Sequence, residues 1–183
     1  TQEKLKQKSK RKKHTSSISV RVLRICEEIN KELTQKQKII VLVRLLEFIK
    51  MGDEIDEQEM IFVKTVAESF YIDEEEYNEL NNFVLNPLEK IQCSKGFLLI
   101  DNQEYPEDKQ IKHLHVHGLN NKVLVLEIKS ADMYLLRYSG NDELYSNSQL
   151  LEPEKVHVIQ SGSSIKNSKI TPIYFTDIIS SFR

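Results

Sequence analysis

The sequence predicts an α+β protein in which an N-terminal helical bundle precedes a small antiparallel β-sandwich or partly open barrel. Three observations carry this. Apolar residues recur every three to four positions as far as Leu85. Candidate helix starts repeat one chemical device, an oxygen side chain followed three residues later by Glu or Gln. From about Lys95 the apolar period falls to two, and turn-forming residues punctuate the chain.

Ile18, Val22, Cys26, Ile29 and Leu33 form one stripe and define a first helix from about Ser16. Thr34 with Gln37, Asp56 with Glu59 and Asp73 with Glu76 then open three more helices, each oxygen able to cap exposed N–H groups. The second, from Gln35 to Lys50, is apolar almost all round, which suits the central helix of a bundle. Gly52 ends it. The third presents Met60, Val63, Ala67 and Phe70, and the fourth Tyr77, Leu80, Phe83 and Val84. Pro87 closes the series. Strands are expected at Phe97–Ile100, Ile111–His117, Lys122–Ile128, Met133–Tyr138, Leu144–Ser146, Val156–Ile159 and Thr171–Phe175. The expected division is a basic linker over 1–15, a helical domain over 16–92 and a β-rich domain over 93–183.

Composition narrows the class. At 39% hydrophobic and 30% charged residues, 183 residues are enough for a core without metals or disulfides. Cys26 and Cys93 are far apart and read as reduced thiols in a cytoplasmic protein. No apolar run reaches the ~18 residues that a membrane helix needs. The chain opens and closes in mid-phrase and is expected to be a fragment of a longer protein. Its formal charge of −2 conceals an asymmetry: seven basic residues between Lys4 and Lys13 against Glu3 give +6, leaving −8 for the remainder. Because that basic stretch has no aromatic residue to stack on bases, it reads as a solvated linker, and nucleic acid is disfavoured as a partner.

Two clusters are candidate metal ligands. Alternation along a strand would put His113, His115 and His117 on one face at about 6.6 Å intervals, with Glu127 or His157 as a remote further ligand. The acidic loop offers Glu54, Asp56 and Glu59, although it lacks the Asp-x-Asp-x-Asp-Gly order of a calcium loop. Ser161-Gly162-Ser163-Ser164-Ile165-Lys166 lacks the second glycine of a phosphate-binding loop, and no nucleophile elbow is present. The expectation is therefore a chain that is not an enzyme and holds no cofactor.

Leu33-Thr34-Gln35-Lys36-Gln37-Lys38, Arg44-Leu45-Leu46-Glu47-Phe48-Ile49 and Glu54-Ile55-Asp56-Glu57-Gln58-Glu59 resemble the tellurite-resistance TerB-like helical domain. The sequence departs from it where Gly52-Asp53 replaces Asp-Gly, so Glu54, Asp56 and Glu59 would be the surviving acids. Glu143 to Leu150 and Val156 to Ile165 are similar to the end of a forkhead-associated β-sandwich, with Asn147-Ser148 in place of Asn-Gly. The order of segments resembles the N-terminal region of large ATP-binding-cassette transporter proteins of Bacteroidetes-type bacteria. That resemblance implies a regulatory interaction module on the cytoplasmic face of a membrane-associated parent, with ATP and magnesium confined to a downstream domain. It also implies a protein partner, or the rest of the same polypeptide, for the acidic surfaces and the sheet edge. The alternative expectation is a metal- or ligand-sensing TerB-like domain without a transporter.

Overall fold

The computed structural model describes residues 2–183, with the side chains of 9–18 left aside. Four helices come first: α1 (Gln2–Glu32), α2 (Gln35–Lys50), α3 (Glu57–Ser69) and α4 (Glu74–Leu85). A five-stranded sheet then forms from β1 (Phe97–Asp101), β2 (Lys112–His115), β3 (Lys122–Ile128), β4 (Met133–Ser139) and β7 (Val156–Ile159), in the order β2-β1-β3-β4-β7. A second sheet, order β6-β5-β8-β9, is built from β5 (Tyr145–Ser146), β6 (Gln149–Leu150), β8 (Ser164–Lys166) and β9 (Ile173–Tyr174). The chain closes with α5 (Phe175–Phe182). Every strand pair is antiparallel except β1 with β2. The α+β class, with helices first and sheets after, is the one the sequence predicts.

Period-two alternation sorts the first sheet's side chains into two cores. Phe97, Leu124, Leu126, Ile128, Met133, Leu135 and Val156 pack with α2, α3 and α4. Leu98, Ile100, Val123, Val125, Leu136 and Tyr138 face the other way, against the second sheet and Ile178 of α5. The sheet is therefore the middle of three layers, and β3 and β4 are near-continuous apolar runs because both their faces are covered. The first run of helices ends at Lys90 and the sheet begins at Phe97, yet the first core runs across that change.

Local chemistry explains most of the helix ends. Thr34 and Asp56 form complete capping boxes with Gln37 and Glu59. The third pair behaves differently. Asp73 Oδ2 accepts from Glu75 N at 3.0 Å, while the Glu76 carboxylate turns away to accept from Ser130 N at 3.3 Å and from its hydroxyl. Glu76 thus fastens α4 to the short 3-10 turn Lys129–Ala131 between β3 and β4. α3 ends in a Schellman arrangement, with Ile72 N bonding Ala67 O and Tyr71 N bonding Glu68 O, both at 3.0 Å. Tyr71 occupies the left-handed position at φ 57, where glycine is the usual residue.

β2 stops at His115, β6 and β8 fall outside the expected strands, and both ends of the chain also differ from the sequence reading. α1 starts at Gln2, so the stretch expected as a linker is helical. Lys, Arg, Gln and Glu are strong helix formers, and neither Gly nor Pro precedes Gly52 to interrupt them. At the far end, the expected strand Thr171–Phe175 shrinks to Ile173–Tyr174, and α5 follows with Asp177 Oδ2 accepting from Tyr174 N at 2.8 Å. Phe175, Ile178, Ile179 and Phe182, at helical spacing, pack on the second core.

Candidate interaction surface and buried polar anchors

β2 stops at His115, and the three histidines do not line one strand face. Gly118, at φ 81, turns the chain so closely against Lys169 that a Cβ there would meet Lys169 O at 2.4 Å. His117 falls in this turn and is exposed, as is His115. Only His113 is enclosed, with its Nε2 2.8 Å from Asp101 Oδ1. That carboxylate also accepts from Gln103 N at 2.9 Å, so the pair secures the β1 end to β2. In the acidic loop, Asp56 accepts from Gln58 N and Glu59 from Asp56 N, which commits both to the α3 cap. Glu54 stands exposed beside them. Among the described residues, no group of three or more His, Cys, Asp or Glu is arranged to hold a metal ion. Neither candidate cluster assembles a coordination site.

Burial pushes both thiols up. Cys26 is partly offset by a hydrogen bond with Ser69, and Asp108 adds to the effect at Cys93. Both sulfurs are free. A thiol raised in this way is a poorer nucleophile at neutral pH.

The polar groups that sequence reasoning passed over lie at the joints between layers. Arg137 of β4 is fully buried. Its Nη1 donates to Phe83 O and, at 2.8 Å, to Asn86 O; its Nη2 donates to Glu154 Oε2 at 2.7 Å. The guanidinium carbon sits 5.9 Å from the Phe83 ring centroid. Lys50 Nζ donates to Val84 O at 3.1 Å. Two cations therefore meet the carbonyl end of α4, where the helix dipole is negative. Desolvation pulls Lys50 below the usual lysine range, and neighbouring Arg137 pulls it further. The signal for Arg137 was a charge inside an apolar strand, Met133-Tyr134-Leu135-Leu136-Arg137-Tyr138.

Arg44 and Glu47 of α2 form a second anchor. They pair with each other, Arg44 Nη1 donates to Val156 O at 3.0 Å, and Glu47 Oε2 accepts from Val156 N at 3.2 Å. Val156 lies on the edge strand β7, so a helix side-chain pair satisfies backbone groups that would otherwise stand open to another strand. Lys38, also buried, donates to Asn30 Oδ1 at 3.1 Å and reaches Phe70 O at 3.5 Å; Asn30 Nδ2 donates to Ser69 O at 2.6 Å. These bonds tie α1 and α2 to the end of α3.

Three kinds of surface remain outward. Asp73, Glu75, Glu79 and Glu127, outnumbering Lys95 and Lys129, line an open groove, where Ser94 Oγ donates to Glu79. Around the turn from α2 to α3, Phe48, Met51 and Ile55 are exposed among Asp53, Glu54, Asp56, Glu57 and Glu59. α1 carries the basic stretch, with residues 2–8 exposed. Among the described residues, no helix is long and apolar enough to cross a membrane.

These features define an α+β protein of three layers with charged, partly apolar outer surfaces. No protein family, curated protein or solved structure matches the chain.

Proposed function

We propose that the chain is a non-catalytic interaction and regulatory module, carried on the cytoplasmic side of a membrane by an ATP-binding-cassette transporter ATP-binding protein. The observation that carries the interaction reading is how the polar side chains are spent. Arg137, Lys38, Asp101, His113, Glu47 and Arg44 each hold one element to another. Among the surfaces left outward are a basic helix, an acidic groove and an acid-rimmed apolar corner, which suit contact with other macromolecules. The attachment to a transporter rests on the resemblance in segment order.

The parent ATP-binding protein with and without residues 1–183 provides the test. Removal is expected to change ATP turnover by the parent while its nucleotide-binding domain stays folded, and the isolated chain is expected to hydrolyse no ATP. A parent reading frame without a phosphate-binding loop after residue 183 would refute the attachment. ATP turnover by the chain alone would refute the non-catalytic reading.

A further inference from the structure

α1 is longer than its seat. Among the described side chains, Val22 is the first to pack on the core and Cys26 the first to be buried. Residues 2–8 and 19–21 are exposed, and at 1.5 Å per residue the helix from Gln2 to Arg21 is about 30 Å long. Within that arm Lys4 and Lys8, Lys6 and Lys10, and Lys8 and Lys12 are like charges at i,i+4, a spacing that destabilises a solitary helix. An anionic surface laid against the arm would relieve this. Without Gly or Pro the arm has no residue to kink it, so a continuous helix cannot bend back onto its own bundle.

The same chain displays a surface of the opposite kind. At the corner between α2 and α3, Phe48 is 73% exposed, Met51 84% and Ile55 43%. Ile61 is exposed in the second turn of α3. Residues 51–63 hold Asp53, Glu54, Asp56, Glu57 and Glu59 and no basic residue, a charge of −5. The arm, with seven basic residues and Glu3 over 2–13, carries +6. The corner thus combines uncovered apolar area with a charge that nearly mirrors the arm's.

We infer that two copies of this chain associate by exchanging arms, the basic N-terminal half of each α1 lying across the acidic, apolar α2–α3 corner of the other. One two-fold axis satisfies both contacts at once, which closes the assembly as a dimer. The inference concerns the chain by itself and does not depend on attachment to a transporter.

Molar mass in solution tests it, measured on the whole chain at about 0.1 M and about 1 M salt, where the Debye length is about 10 Å and about 3 Å. A dimer at the lower salt that falls to monomer at the higher is expected. Three variants then separate the parts: K6E/K8E in the arm, E54K/E57K at the corner and Phe48→Ser for the apolar contact. Each is expected to be monomeric at the lower salt with an unchanged far-ultraviolet spectrum, since all these side chains are exposed. Mixing the arm and corner variants rebuilds one unaltered +6/−5 contact in each mixed pair, against +2/−5 or +6/−1 at both contacts of either variant alone, and is expected to return part of the dimer. Wild-type chain that is monomeric at every concentration would overturn the inference, as would a dimer indifferent to all three variants. Tight, salt-sensitive binding of duplex DNA by a monomer would also overturn it and would assign the arm to nucleic acid.

Discussion

Replacing Arg137 by Met tests whether the middle layer is pinned by one guanidinium. Met preserves the length and apolar stem but donates no hydrogen bond. The Phe83 and Asn86 carbonyls lose their donors at the end of α4, and each buried acceptor left without a partner costs about 1–3 kcal/mol. Exchange of a buried ion pair for apolar residues is often nearly neutral when both partners change. Here two of the three acceptors are backbone oxygens, which no side-chain substitution removes. Part of the cost is recovered, because Arg137 Nε has no partner and its removal leaves nothing unsatisfied. The Glu154 side chain is 47% exposed and returns to water. The net expectation is a loss of about 3 kcal/mol, or roughly 6–12 °C in Tm for a chain of this size. Glu154→Gln should cost below about 1 kcal/mol, as for other half-exposed pairs. Thermal melts followed by circular dichroism, with urea titrations for the free energy, read both. An R137M protein within about 1 kcal/mol of the parent, or an E154Q protein equally damaged, would refute the argument.

Three further outcomes follow from local geometry and titration. Tyr71→Gly relieves a side chain held at φ 57 and should stabilise by about 1 kcal/mol, read as a higher urea midpoint with unchanged slope. Gly118→Ala has the opposite sign, since its Cβ would strike Lys169 O; a loss of about 2 kcal/mol or more is expected in the same titration. Burial raises the Tyr77 and Tyr138 phenols above their ordinary value. The unfolded chain therefore gives up those protons first: the stabilisation is complete below about pH 10 and drains away as pH climbs through the folded-state values. Lys50, lowered by burial, works the other way, its penalty fading as it loses its proton. Melting temperature should fall above about pH 10, and Tyr77→Phe should make that fall shallower.

The helices from Thr34 onward were legible because their information is local. A cap and its partner are three residues apart, and an apolar stripe announces its own period. β3 and β4 were legible for the same reason. α5 was equally visible in Phe175, Ile178, Ile179 and Phe182, but Ile173-Tyr174-Phe175 reads as the end of a strand and masked it. Glu76 shows the limit of local rules, since Ser130, 54 residues away, offered its carboxylate a better use than the capping box. Arg137 was marked by its place in an apolar strand, but its role was illegible for that reason too, as two of its partners are carbonyls more than 50 residues upstream. The histidines misled because alternation presumes that the strand continues, and the Gly118 turn ends it.

The sheet buried on both sides sets a limit on how this protein can be divided. Severing the chain near residue 92 looks natural on paper, since helices lie before the cut and strands after it. The downstream fragment would nevertheless carry Phe97, Leu124, Leu126, Ile128, Met133 and Leu135 on a bare face, an apolar expanse of the kind that drives aggregation. Helices and strands would have to be gained or lost together, as one inheritance.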